Sequence, residues 1–119
     1  AGVAWGDVIV AVCAHNDAAE AEQITAPLLD GAEPPDAIAA MSDQQAVGVV
    51  RAVRAAGLVI PDDVAVTGWD DADVAARLGL TTVAQSLRDQ GATCAYAALG
   101  QKHGSPASWS VVRRGSTRA

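Results

Sequence analysis

Apolar and polar positions along the chain change period repeatedly, and each change marks an element. Residues 8–14 (Val-Ile-Val-Ala-Val-Cys-Ala) form a continuous, β-branched apolar run between Gly6-Asp7 and His15-Asn16-Asp17, which predicts a buried strand. Over residues 18–29 the apolar positions Ala21, Ile24 and Leu28 recur at helical spacing and stop at Asp30-Gly31, predicting a helix. Pro27 is expected to bend or shorten its last turns. Pro34-Pro35 then breaks the chain before a short strand at 37–41. Ser42-Asp-Gln-Gln45 has the form of a capping box, opening a helix to Ala56 with Gly57 just past its end. Pro61-Asp62-Asp63 turns into a strand at 64–67 that ends at Gly68-Trp-Asp-Asp71, followed by a short helix over 72–78. A strand at 81–84 leads to a helix capped by Ser86, with Asp89 placed for a reciprocal cap, that runs to Leu99. A Gly/Pro/Ser loop at 101–108 precedes a last strand at 109–113. This alternation predicts an α/β fold: a mostly parallel sheet with right-handed crossovers and helices on both faces.

In open parallel sheets, ligands bind outside the carboxyl ends of the strands, where helix N-termini converge. The polar residues fall there. His15, Asn16 and Asp17 follow the first predicted strand, Ser42 and Asp43 the second, Trp69, Asp70 and Asp71 the third, and Gln85 the fourth. Carboxylates, amides, a hydroxyl and an indole suit a neutral polyhydroxyl ligand: Asp and Asn bond paired hydroxyls, and an aromatic face covers the apolar side of a sugar ring. Ser42, Asp43 and Asp17 are candidate ligand contacts as well, although these three and Asp71 all precede helices, where capping is the competing explanation. Asp70 sits one residue too early for the simplest cap, so it is the leading contact residue. His15 reads as a polar loop residue, and Trp5 and Trp109 as packing residues.

Composition narrows the classes. The chain has 119 residues, half of them apolar, with 14 acidic and 8 basic side chains and a formal charge of −6. That describes one globular domain or part of one. The acidic balance, with Lys102 the sole lysine, argues against this segment gripping nucleic acid by itself. No apolar run reaches the roughly 20 residues of a membrane helix. Phe is absent, and Ala, Val and Leu must supply the core. Cys13 and Cys94 stand outside any metal or redox spacing; a disulfide between them stays open, and two buried reduced thiols in a cytosolic protein is the simpler reading. No G-x-G-x-x-G, P-loop or G-x-S-x-G occurs, and the Asp70-Asp71 pair lacks the first-strand acids and late lysine of a receiver domain. No enzyme chemistry, cofactor or metal site is expected.

Pro35-Asp-Ala-Ile-Ala-Ala-Met-Ser-Asp-Gln-Gln-Ala-Val-Gly48, the run from Arg51 to Gly-Trp-Asp-Asp71, Leu80-Thr-Thr-Val-Ala-Gln-Ser-Leu-Arg-Asp-Gln-Gly91 and the closing Val111-Val-Arg-Arg-Gly-Ser-Thr117 resemble the effector-binding domain of the LacI/GalR family of bacterial transcription regulators. The resemblance covers nearly the whole chain. It implies a Rossmann-like lobe of the periplasmic-binding-protein-like type, one of two that enclose a sugar or similar effector in a cytoplasmic, dimeric repressor. Asp70 then matches the effector-contacting aspartate, Ser42 stands where an asparagine is common, and Gln85 matches a glutamine near the hinge. Asn16-Asp17 occupy a place where relatives often carry an aromatic. The helix holding Val47 and Arg51 and the short helix with Ala72 and Val74 would contribute to a homodimer. The resemblance further implies that residues 1–119 are the C-terminal portion of such a protein, without the first lobe and without the domain that binds operator DNA. The helix over 86–100 would pack on that first lobe; its stripe of Leu87, Gly91, Cys94 and Ala98 is expected to fold back on its own sheet or to be exchanged with a second copy. A solute-binding protein of a sugar transporter shares this fold and is the alternative; a flavodoxin-like or receiver-type enzyme is the third reading.

Overall fold

The computed structural model describes residues 2–101 and 108–118. After a 3-10 turn at Trp5–Asp7, its elements are α1 (Ala18–Leu29), β1 (Ala37–Ala39), α2 (Asp43–Ala55), β2 (Ala65–Asp70), α3 (Asp73–Leu78), β3 (Thr81–Gln85), α4 (Leu87–Ala98) and β4 (Trp109–Val112). The predicted loop at 101–108 lies almost wholly outside the described residues. Four strands form one open sheet in the order β1-β2-β3-β4. The first three run parallel, and β4 returns antiparallel against β3. This is the expected α/β architecture, with short crossovers α2 and α3 between the parallel strands.

The core lies between α2 and the sheet. Val49, Val50 and Val53 of α2 meet Val66 of β2, with Val64, Ala75 and Leu80 completing the cluster. Val66 and Gly68 alternate with half-exposed neighbours along β2, the period of a strand with one covered face. α2 begins where Ser42 Oγ accepts a hydrogen bond from the Gln45 amide at 3.1 Å. The reciprocal arm of a capping box is replaced: the Gln45 side chain donates instead to the His15 carbonyl at 3.4 Å. Ser42→Ala is therefore expected to cost about 1 kcal/mol, the usual worth of an N-cap, visible as a lower urea midpoint.

α1 rests on α2 at Gly48, where an added Cβ would overlap the Ala18 carbonyl and the Glu22 amide. Pro27 neither shortens nor ends α1, which continues to Leu29 and closes with Asp30 N–H on the Ala26 carbonyl at 3.2 Å. At the far end of the sheet, Ser116 wedges between the starts of β2 and β3. Its hydroxyl donates to the Val66 carbonyl at 2.6 Å and accepts from the Thr81 amide at 2.8 Å.

Several expectations fail. Residues 8–14 form no strand; Val8, Ile9, Val10 and Val12 are exposed, and the run lies alongside β1 without pairing to it. α4 does not fold back. None of its residues is buried, and Leu87, Gly91, Cys94 and Ala98 of the expected stripe are all exposed, which leaves exchange with a second copy as the untested half of that expectation. With α4 standing away, the radius of gyration is 16.6 Å, against the roughly 13.5 Å of a compact domain this long. Trp5 and Trp109 are 82% and 65% exposed, so neither packs into the core. Cys13 is half-buried and Cys94 exposed, and both are free thiols.

Candidate functional site

Because β1, β2 and β3 are parallel and in register, their carboxyl ends share one edge of the sheet, and the chain leaves each end through polar residues. At the end of β2, Asp70 and Asp71 adopt φ values of 112° and 53°. Consecutive non-glycine residues in this region are strained, by about 1–3 kcal/mol each, and persist only where their surroundings hold them.

The holding groups are identifiable. Asp43 is 1% exposed at the first turn of α2, and both its oxygens are used. Oδ1 accepts from the Thr82 hydroxyl at 2.6 Å, and Oδ2 accepts from the Ala72 amide at 2.7 Å. Thr82 Oγ1 in turn accepts a longer bond, 3.4 Å, from the Asp71 amide. Gly68 makes room for this carboxylate, since a Cβ there would overlap Asp43 Oδ1 and press on Leu80. Asp71 accepts from Arg114 Nη2 at 2.7 Å, while Nη1 of the same guanidinium donates to the Leu80 carbonyl at 2.9 Å. The strained turn is thus tied to α2, β3 and the segment after β4.

That turn presents Asp70 to the rim. Asp70 is half-buried, and its Oδ1 accepts from Gln85 Nε2 at 2.6 Å. Gln85 Oε1 accepts from Gln90 Nε2 at 3.0 Å, extending the relay onto α4. Beside it the Trp69 and Trp109 rings meet edge to face, with centroids 5.8 Å apart at 73°. The pairing of Gln85 with Trp109 across β3 and β4 brings that indole to the carboxylate–amide pair. The result is a polar relay flanked by an aromatic corner.

A second cluster stands at the end of β1. Ser42 donates its hydroxyl to Asn16 Oδ1 at 2.5 Å. Asp17 caps α1 by accepting from the Glu20 amide at 2.9 Å. Glu20 folds back to accept from the Ala14 and His15 amides at 2.7 and 2.9 Å, with His15 Nδ1 at 3.3 Å. Its carboxyl is held below the ordinary glutamate range, chiefly by the Ala14 bond.

Of the residues singled out in the sequence, Asp70, Gln85 and Trp69 come together in one cluster, and Asn16 and Ser42 bond each other on the same edge. Asp17 and Asp43 are engaged in holding helix starts, Asp43 out of reach of solvent. Gln90 and Trp109 were not anticipated. Gln90 lies in the first turn of α4, five residues beyond Gln85. Trp109 reaches the rim only through an antiparallel return that no periodicity announces. Among the described residues no group of His, Cys, Asp and Glu side chains is arranged to hold a metal. No helix among them is long and apolar enough to cross a membrane.

Residues 6–118 match the family model of the periplasmic binding protein-like domain. The ribose operon repressor of Halalkalibacterium halodurans is 36% identical over 88 residues, covering 72% of this chain and 26% of the repressor. The repressor CytR of Escherichia coli is 32% identical over 101 residues, 77% of this chain and 30% of that protein. Among solved structures, a LacI family regulator from Lactobacillus casei with bound sucrose superposes with a TM-score of 0.73 at 32% identity, covering 85% of this chain and 41% of that one. The chain belongs to the LacI family. Its fold is that of a LacI effector-binding domain, and it spans about a quarter of the ribose repressor's length. The LacI relatives are transcriptional regulators rather than enzymes, in keeping with a rim of hydrogen-bonding and aromatic groups.

Proposed function

We propose that this LacI-family lobe senses a neutral polyhydroxyl effector, a sugar or close analogue, at the rim built by Asp70, Gln85, Trp69 and Trp109, with Asn16 and Ser42 as a second contact group. Asp17 and Asp43 support the rim from behind. The observation that carries this reading is the Asp70–Gln85–Gln90 relay beside the crossed indoles. A carboxylate whose geometry is set by an amide can accept from vicinal hydroxyls, and an indole next to it offers an apolar face to the ring. The sucrose bound to the Lactobacillus casei regulator supports the same ligand class. Effector binding would shift the populations of lobe arrangements in a homodimer and so control operator DNA. The −6 charge of this chain suits a sensing role rather than a DNA-gripping one.

The dimer face of this proposal comprises α2 and α3. Val47 and Val74 are half-buried there, Ala72 is exposed, and exposed Arg51 lies 3.9 Å from Glu22. The rim is tested by NMR titration with glucose, sucrose and ribose, following the indole N–H signals and the glutamine side-chain amides. The expected result is saturable shifts at Trp69, Trp109 and Gln85 for at least one sugar, weakened about tenfold or more in Asp70→Ala, as loss of a charged hydrogen bond requires. Equal shifts in the wild type and in Asp70→Ala would remove Asp70 from the site.

A further inference from the structure

β3 passes into α4 through a short polar run. Gln85 closes the strand, and Ser86 caps the helix by accepting from the Asp89 amide at 3.2 Å. Gln90 lies one turn in, its backbone N–H on the Ser86 carbonyl at 3.0 Å, so the first turn fixes where its side chain starts. That side chain is half-buried on a helix with no buried residue, and packing alone does not place its amide. A hydrogen bond does: Gln90 Nε2 donates to Gln85 Oε1 at 3.0 Å.

Chemistry dictates the direction of this relay. An ionised carboxylate can only accept, so Gln85 must meet Asp70 with its NH₂ group, as it does at 2.6 Å. The carbonyl end of the same amide is then left to α4, where only a donor can answer it. Gln90 is that donor. Turning either amide over would set like groups against each other, and the two bonds polarise one another along the chain. Without Gln90, the Gln85 amide is held at one end only. The relay also ends on a charge that no cation neutralises. No ion pair among the described residues includes Asp70, and the Arg114 guanidinium that reaches the same turn is taken up by Asp71 and the Leu80 carbonyl.

We propose, resting on the effector reading above, that Gln90 is a positioning residue. It locks the Gln85 amide with its N–H groups toward Asp70, and so commits the rim to effectors that donate hydrogen bonds: a neutral polyol rather than its carboxylate-bearing analogue. A hydroxyl group satisfies the remaining lone pairs of Asp70. A ligand carboxylate meets a half-buried like charge instead, and a locked Gln85 cannot turn to offset it.

Three substitutions separate the relay from the helix, because methionine, glutamate and lysine are about as good helix formers as glutamine. Gln90→Met removes the donor, Gln90→Glu replaces it with an acceptor, and Gln90→Lys supplies donors only. The first readout is NMR of the Gln85 side-chain amide in the whole chain without sugar. Its exchange with solvent is expected to rise about tenfold in Gln90→Met and further in Gln90→Glu, and to stay near the wild type in Gln90→Lys, while the backbone amides of α4 are unchanged in all three. Equal exchange in wild type and Gln90→Met, or a rise matched by the α4 backbone, overturns the positioning role. The second readout is titration with glucose and glucuronate. Glucuronate is expected to bind about tenfold or more weakly than glucose, and the gap to narrow in Gln90→Met, where a freed Gln85 can turn an N–H to the ligand carboxylate. Equal binding of the two, or a gap that Gln90→Met leaves as it was, overturns the preference. If neither sugar moves the rim signals, the effector reading fails for hexoses and the preference fails with it, whereas the exchange order still decides whether Gln90 positions Gln85.

Discussion

Asp43→Ala is expected to lower the unfolding free energy by about 3 kcal/mol, while Asp43→Asn lowers it by only about 1 kcal/mol, both read as urea midpoints at constant slope. The difference follows from what the carboxylate satisfies. Asp43 is buried and accepts from the Thr82 hydroxyl and the Ala72 amide. Alanine leaves the Ala72 N–H without an acceptor and opens a void beside Gly68, and a buried unsatisfied donor alone costs about 1–3 kcal/mol. Asparagine keeps the shape. Its oxygen still serves the Ala72 amide, and its NH₂ can donate to Thr82 Oγ1 once that hydroxyl rotates. The same substitution has a functional reading, because Asp43 and Thr82 hold the strained turn at Asp70 and Asp71. Amide exchange at Asp71 and Ala72 should therefore accelerate in Asp43→Ala more than in Asp43→Asn. Equal losses for the two variants would mean that the asparagine amide, although it keeps the shape, cannot take over the carboxylate's bonds, and this account of the two substitutions would fail.

Gly48→Ala is expected to destabilise by about 2 kcal/mol, against the sign that helix propensity alone predicts. In an exposed helix this change gains up to about 1 kcal/mol. Here the new methyl would meet backbone atoms of α1 at Ala18 and Glu22 and the Ala21 side chain. Backbone cannot rotate aside as a side-chain end does, so α1 must lift from α2, and overpacking of this kind costs about 1–3 kcal/mol before the propensity gain is returned. A thermal or urea midpoint at or above that of the wild type would show that the two helices separate freely.

Periodicity located each α-helix among the described residues, because an amphipathic stripe is a property of one segment. α2 was expected over 42–56 and is observed at Asp43–Ala55, with Ser42 as its cap. Strands are properties of pairs, and there the single chain misleads. Residues 8–14 carry the strongest strand composition in the sequence yet remain unpaired, whereas β1, a short alanine-rich piece, is held by β2. The rim shows the same division. Asp70 and Gln85 were legible because both fall at strand ends, and the parallel order makes strand ends neighbours. Trp109, expected to pack, does so against Trp69 at the rim and not in the core, a place that depends on β4 reversing direction. Asp43 was read as a contact residue, since residue type and position match those of one; only burial tells a supporting carboxylate from a presented one. The unfolded-back α4 follows from a surface having no counterpart within the described residues, which spacing cannot reveal.

The wedge at Ser116 bears on how the chain is made. Its hydroxyl bridges β2 to the beginning of β3, and the Thr81 amide waits for a group 35 positions downstream. A ribosome releases residues in order, so the central strands emerge well before the residue that joins their ends. Until then, Leu80 and Val66 have only their local neighbours for cover. Nascent chains halted ahead of residue 116 should consequently be captured by chaperones, and chains released with residue 116 in place should escape.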